Sequence, residues 1–234
     1  MGCSAMKDFV AFAQERRSYR RFNSKKVPLE LVADCLLAAS FAPSGGDLQP
    51  WEFVIITEPE ALSGVVRACE GQAWLEQAPV VVAVLGDGAR AETFHGELGA
   101  RWCRDSCVAA TQNLLLAAHE RGLAGCWVSA FDEDLLLEAL DCPASSLPVA
   151  LVALGFSDEL LVEKAVTPLE QLVHFDVYGQ RRRDVDADIK DYGDVFRKRK
   201  QELSERLSAP VADSEESGSS FASRIRDLFG SSKK

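Results

Sequence analysis

No stretch of this chain approaches the roughly 18 consecutive apolar residues that a membrane-spanning helix requires. The first twenty residues carry no long apolar core of the kind that marks an export signal. Seven cysteines in 234 residues are too few for a disulfide scaffold, their odd number leaves one unpaired, and no two form a C-x-x-C pair. That usage fits a reducing, cytoplasmic setting. Nucleotide fingerprints are missing too. No G-x-G-x-x-G follows a strand and no G-x-x-x-x-G-K occurs, which excludes a firmly held dinucleotide of the Rossmann type and a P-loop nucleotide. Positive charge is also short: a net charge of −10 and a pI near 4.9 argue against nucleic acid, whose phosphates need a positive field. There is no internal repeat.

What is present is an ordinary enzyme-like balance, 47% hydrophobic and 26% charged, enough for one domain with extensions. Composition places that domain at residues 1–180. Residues 181–207 are highly charged, with acids first and Arg197-Lys198-Arg199-Lys200 later, an order that complements a helix dipole and suits a solvated helix or arm. Residues 208–220 form a Ser/Glu-rich linker. In residues 221–234, Phe221, Ile225, Leu228 and Phe229 recur at helical spacing and make a short amphipathic tail that could dock on a protein partner or a membrane surface.

Within the domain, a first helix carrying Phe9, Val10, Phe12 and Ala13 runs into an arginine cluster, and Pro28 opens a second helix. Residues 53–57 read as a strand, with Thr57 placed to cap a helix bearing Leu62, Val65, Val66 and Cys69. Residues 79–85 are a continuous β-branched run, expected of a strand covered on both faces. Residues 86–100, rich in Gly, Ala and charge, suit a loop or mobile lid. Residues 102–119 are apolar nearly all round, the pattern of a helix buried in a core or an oligomer interface, and Gly122 stops it. Residues 125–129 read as a strand or strand edge, Asp132 as the cap of a helix to Leu140, and residues 149–154 as another buried strand. Helices followed by alternating strands and helices favour an α+β, three-layer arrangement.

Two segments carry chemistry. Arg16-Arg17-Ser18-Tyr19-Arg20, if helical, sets Arg16 and Arg20 one turn apart, and guanidinium forks with a hydroxyl are what a phosphate monoester needs. With Arg21, Lys25 and Lys26 they form one cationic spot in an acidic protein, able to draw in an anionic ligand. Pro43-Ser44-Gly45-Gly46-Asp47-Leu48-Gln49-Pro50-Trp51 supplies a turn whose backbone can approach a ligand, polar groups at Asp47 and Gln49, and a strand beyond. Apolar walls with a few fixed donors and acceptors suit a flat heteroaromatic ring. Cys103 and Cys107, one turn apart with His95 upstream, have no evident fourth ligand and read as core packing, so no metal is expected. His119 is placed to satisfy the last carbonyls of its helix, and His174 to be exposed or at a dimer contact.

These segments resemble the FMN-binding nitroreductase family. Residues 16–22 look like its opening R-R-S-x-R-x-F, and residues 43–53 like P-S-x-x-N-x-Q-P-W-x-F. Residues 105–119 are similar to its central helix, residues 122–132 to its third flavin segment, and residues 168–179 to the end of its core. The resemblance implies a nitroreductase-like α/β/α fold with a mixed, mainly antiparallel sheet. It also implies an intertwined homodimer with FMN at the interface, each site using both chains. Arg16, Arg17, Ser18 and Arg20 would hold the ribityl phosphate and the pyrimidine side, with Arg20 stabilising charge at N1/O2 of the reduced ring. Pro43, Ser44, Gly45, Asp47 and Gln49 would line the ring and ribityl chain. Trp127, Val128, Ser129 and Ala130 would lie on its other side, with a backbone N–H near Ser129 facing N5.

On the same resemblance, NADH or NADPH reduces FMN and leaves, and a small acceptor of quinone or nitroaromatic type takes the electrons, a ping-pong scheme with no catalytic side chain. Asp47 stands where the family has Asn; it cannot donate, and its charge opposes an anionic reduced flavin. Val166-Thr167 stands where the family often has a cation, so Lys164 is carried over as the nearest one. The family also includes deiodinases and a flavin-fragmenting enzyme, but residues 86–104 carry no Glu-Tyr-Lys lid. The alternatives are a flavin-binding protein without turnover that uses its tail for docking, or a flavin-modifying or dehalogenating relative.

Overall fold

A computed structural model of the chain describes residues 9–160 and 164–180. The chain forms two compact units, Met1–Lys164 and Ala165–Lys234. The arm, linker and tail expected at 181–207, 208–220 and 221–234 lie outside the described residues.

The first unit is built on four strands: β1 (Trp51–Ile56), β2 (Val80–Asp87), β3 (Ala124–Val128) and β4 (Ser146–Gly155). Their order is β1-β2-β4-β3, and every neighbouring pair is antiparallel. One parallel bridge, Ser18 to Gly125, extends the sheet at the β3 edge. Side chains alternate across a strand, and that alternation builds two cores. Val80, Val82 and Val84 of β2, with Ala150, Val152 and Leu154 of β4, face α2 (Leu29–Ser40) and α5 (Gly99–Glu120). Val81, Ala83, Leu151 and Ala153 face α3 (Pro59–Ala68), a 3-10 turn (Ala73–Gln77) and α6 (Glu133–Ala139). The sheet is therefore the middle of three layers, the α+β arrangement expected. The apolar runs in β2 and β4 follow from it, since both faces of these strands are covered.

The first helix, α1 (Phe9–Glu15), stops before the arginines. Arg16 to Arg20 is not helical, because Ser18 pairs with Gly125 and the Tyr19 N–H donates to the Gly125 carbonyl at 3.2 Å. The sheet edge at β3 offers the backbone partners that a further helical turn would have to forgo. Thr57 is not the cap of α3. Glu58 takes that position without a side-chain cap, and Pro59 starts the helix, its missing N–H being harmless there.

Of residues 86–100, expected as a loop or lid, Gly86 and Asp87 end β2 and the rest are helical. Asp87 caps α4 (Gly88–His95) by accepting the Arg90 N–H at 2.9 Å, and a 3-10 turn (Gly96–Leu98) leads into α5. The small residues that resemble loop composition serve close packing instead. A Cβ on Gly88 would fall 2.6 Å from the Ser145 carbonyl, and one on Gly99 would fall 2.4 Å from the Ala91 carbonyl. At its other end α5 closes with Gly122 at φ +71° and a hydrogen bond of 2.8 Å from the Leu123 N–H to the Ala118 carbonyl. Asp132 caps α6 as expected, accepting the Leu135 N–H at 2.9 Å.

In the second unit, Pro168 precedes a helical turn, α7 (Leu169–Leu172). His174 is half-buried; its Nδ1 accepts the Gly179 N–H at 3.0 Å and its ring lies 4.4 Å from that of Tyr178.

Candidate functional site

The residues expected to hold a ligand fall in two places, at opposite ends of α5. The arginine segment lies at the C-terminal end, where Phe12 of α1 packs 4.8 Å from the His119 ring. Because Ser18 pairs in strand fashion, Arg16, Ser18 and Arg20 project to one side of their segment, with Arg17 on the other. Arg16 and Arg20 both lie close enough to the buried Cys126 thiol to oppose its upward shift, although desolvation by burial dominates and pushes that pKa up. Arg20 spreads over the indole of Trp74, 5.9 Å from the ring centroid, a cation–π contact. Its backbone N–H donates to Glu159 Oε2 at 3.4 Å. Arg17 is turned away, donating to the carbonyls of Gln14 and Arg16, where the end of α1 attracts a cation.

Further along, Asn23 donates from its backbone to the Phe156 carbonyl and from its amide to Asp158, at 2.8 and 3.0 Å. Lys25 sits over the Phe156 ring at 4.1 Å. These contacts pin the basic segment along the end of β4. Beside it, Trp127 is half-buried in the α5-side core and Val128 is buried, while Ser129 and Ala130 emerge into solvent just past β3. Gln72 holds that exit by donating to the Ala130 carbonyl at 2.9 Å. Lys164, at the end of the first unit, is exposed.

The second place is the turn after α2. Gly45–Asp47 is a single 3-10 turn, with Gly46 at φ +58°, Asp47 at +55° and Gln49 at +51°. Left-handed backbone at two non-glycine residues costs about 1–3 kcal/mol each, so it needs support from around it. Some comes from within: Ser44 Oγ accepts the Gln49 N–H at 3.0 Å, and the Gln49 amide donates to Asp47 Oδ1 at 3.0 Å. The rest comes from α5. The Gly45 N–H donates to Ser106 Oγ at 3.2 Å, and Ser106 donates in turn to the Trp102 carbonyl at 2.6 Å. A Cβ on Gly45 would stand 3.2 Å from the Trp102 Cβ, so only glycine fits this close approach without adjustment.

Between turn and helix lies a cavity of about 400 Å³, lined by Pro43, Ser44, Gly45 and Gly46 on one side and by Trp102, Asp105, Ser106 and Ala109 on the other. Of the residues expected to line a ring, Pro43, Ser44 and Gly45 border this cavity, while Asp47 and Gln49 are not among its linings; Gly46 and four residues of α5, not in that set, complete it. The four of α5 recur at i, i+3, i+4 and i+7, a stripe legible from spacing alone. Trp74 and Glu159, which meet Arg20, left no such signal.

Cys103 and Cys107 are core residues, as expected, and among the described residues no cluster of three or more His, Cys, Asp or Glu could hold a metal. The two thiols share a hydrogen bond that lowers the Cys103 pKa and raises that of Cys107, which burial pushes further up.

Comparisons with known proteins identify the family. The chain matches the "Nitroreductase family" over residues 13–72 and 62–156. It is 31% identical over 194 residues to an NADH dehydrogenase of Thermus thermophilus, covering 71% of this chain and 95% of that one. It is 34% identical over 187 residues to a 5,6-dimethylbenzimidazole synthase of Rhodospirillum rubrum, covering 69% of this chain and 86% of that one. A solved nitroreductase family protein of Clostridium difficile 630 superposes with a TM-score of 0.63 at 27% identity, covering 73% of this chain and 99% of that one. The three-layer fold of the chain and these likenesses give one conclusion: the chain belongs to the nitroreductase family.

Proposed function

We propose that this protein is an FMN-dependent oxidoreductase that passes electrons from NADH or NADPH to a small organic acceptor of quinone or nitroaromatic type. The observation that carries this reading is the division of labour between the two ligand segments. Arg16, Ser18 and Arg20 offer charge-assisted donors in the pattern a phosphate monoester needs. The turn at Gly45 offers a shaped cavity with the Trp102 indole on one wall, which suits a flat ring. The donor chemistry and the glycine-shaped approach at Gly45 both fit FMN. Arg17, engaged with α1, is the one member of the expected set that would have to turn to take part.

When bound, FMN would supply two-electron transfer in two half-reactions of ping-pong type. The chain's own residues would bind and orient it. Arg16, Ser18 and Arg20 would hold the phosphate and pyrimidine side. Pro43, Ser44, Gly45, Asp47 and Gln49 would line one wall, and the backbone at 127–130 the other, with Lys164 as a further contact. No catalytic side chain or metal is needed.

Two walls at opposite ends of one helix favour a homodimer. Ser106 and His119 are about 13 residues apart on α5, or roughly 20 Å of helix rise. One chain holds its phosphate-type donors at one end and its ring wall at the other. A second copy running antiparallel would bring the two together. Exposed apolar residues on α2, just after it and on α5 fit such a cover: Leu37, Phe41, Trp102 and Val108. No helix among the described residues is long and apolar enough to cross a membrane.

The direct test is an absorbance spectrum of the purified protein, followed by anaerobic addition of NADH and then NADPH. The reading expects flavin bands bleached by one of the two and restored by a quinone or nitroaromatic. Bound FMN that neither nicotinamide reduces would support a flavin-binding protein without turnover. Oxygen-dependent loss of the flavin spectrum after reduction would support a flavin-modifying enzyme. Colourless protein that gains no stability from added FMN would overturn all three.

A further inference from the structure

The helix found where a loop was expected has a specific place: it lies behind the Gly45–Asp47 turn. Arg90 of α4 donates through its guanidinium to the Leu48 carbonyl and, at 3.4 Å, to the Gln49 carbonyl. His95, the last residue of α4, sits under Gly46. A Cβ on Gly46 would stand 2.6 Å from His95 Cε1 and 3.2 Å from Nε2. The far side of the ring packs on Trp102, 4.9 Å between centroids. His95 Nε2 is buried without a hydrogen-bond partner, and a buried polar atom left unpaired is destabilising. It is held there by packing between Trp102 and the turn. Ser106 completes the set from α5 by accepting the Gly45 N–H.

We propose that Arg90, His95 and Ser106 are positioning residues that brace the turn at residues 45–49 in its ligand-binding shape, so that α4 belongs to the cofactor site without touching the cofactor. The physical need is plain. Left-handed backbone at Gly46, Asp47 and Gln49 persists only where the surroundings over-determine it. The internal bonds of the turn hold Asp47 and Gln49 to each other and Gln49 to Ser44, but not to the fold. The three bracing side chains make that link, one each at the start, middle and end of the turn. Preorganisation of this kind lowers the cost of binding, since the turn need not be ordered by the ligand. The inference rests on the flavin reading of the preceding section.

The test uses the full chain and FMN itself, with affinity read from quenching of flavin fluorescence. Arg90→Ala is expected to weaken FMN uptake by about tenfold, and Arg90→Lys, which keeps a donor, to recover part of that loss. Gly46→Ala should also weaken uptake by tenfold or more through its clash with His95. His95→Ala, which removes the contact under Gly46 without a clash, should likewise weaken uptake. Deuterium exchange at amides 45–49 gives a readout that needs no ligand, and Arg90→Ala should speed it while leaving β2 and β4 unchanged. A wild-type chain that takes up no FMN would overturn the flavin reading and the cofactor role built on it. Wild-type uptake with equal uptake by Arg90→Ala and His95→Ala would overturn the brace alone.

Discussion

Gly86 of β2 lies directly beneath Cys103 of α5, so close that a Cβ on the glycine would fall 2.3 Å from the Cys103 sulfur and 3.3 Å from that of Cys107. The two thiols fill the space that a side chain on β2 would take, and the Cys107 S–H reaches the Leu85 carbonyl at 3.5 Å. This contact sets how closely α5 approaches the sheet, and so where Ser106 and Trp102 meet the turn.

Gly86→Ala is therefore expected to destabilise the protein by about 1–3 kcal/mol through overpacking. Adding Cys103→Ala should return part of that loss by removing the sulfur. Urea unfolding of the single and double variants measures both, and a double variant no more stable than Gly86→Ala would show that the clash lies elsewhere.

The buried thiols predict an alkaline limit. Burial pushes the Cys35 and Cys69 thiols up from an ordinary value of 9.0 to about 11, the acidic Asp34 adding to the effect at Cys35. The folded state thus keeps these protons where the unfolded chain loses them. Their contribution to stability is intact below pH 9 and lost as pH rises towards about 11. Denaturation midpoints should fall across that window, and Cys35→Ala/Cys69→Ala should flatten the fall. At pH 8 the native thiols should resist maleimide and react once the chain is unfolded.

The proposed sharing of each site between two chains predicts complementation. A chain with Arg16→Ala/Arg20→Ala and a chain with Gly45→Val should each take up little FMN alone. Co-expressed, their mixed dimers would contain one intact site, and FMN content should rise towards half of wild type. Flavin-to-protein ratios of the purified mixed dimer check this; no rise over the separate variants would place both walls on one chain.

Asp47 belongs to the turn of the proposed site, exposed and paired with the Gln49 amide. Its negative charge opposes charge gained by a reduced ring. Asp47→Asn should raise the flavin midpoint potential by roughly 30 mV, about a tenfold change for a two-electron couple. Spectroelectrochemical titration measures the shift, and an unchanged potential would place Asp47 away from the ring.

The cap of α6 gives a control on the local reading. Asp132→Ala should cost about 1 kcal/mol by freeing the Leu135 N–H, seen as a lowered thermal midpoint with FMN uptake unaltered.

By itself the amino-acid sequence determined the layers and most of the elements. The unbroken apolar runs in β2 and β4, the buried face of α5, the Asp132 cap and the Gly122 stop are consequences of neighbours in the chain, and periodicity reads them. It also carried both ligand segments, because R-R-S-x-R and the turn at 43–51 are contiguous. Only the tertiary structure decided the rest. Whether Arg16 to Arg20 continues α1 depends on the backbone partner that Gly125 offers, more than a hundred residues away. Whether residues 86–100 are a lid or a helix depends on Ser145 and Ala91, whose carbonyls need the space that Gly88 and Gly99 leave. The separation of the two ligand walls along α5 is the clearest case. Each wall is local in sequence, but their distance is set by which end of one long helix each packs against, and no spacing along the chain encodes that.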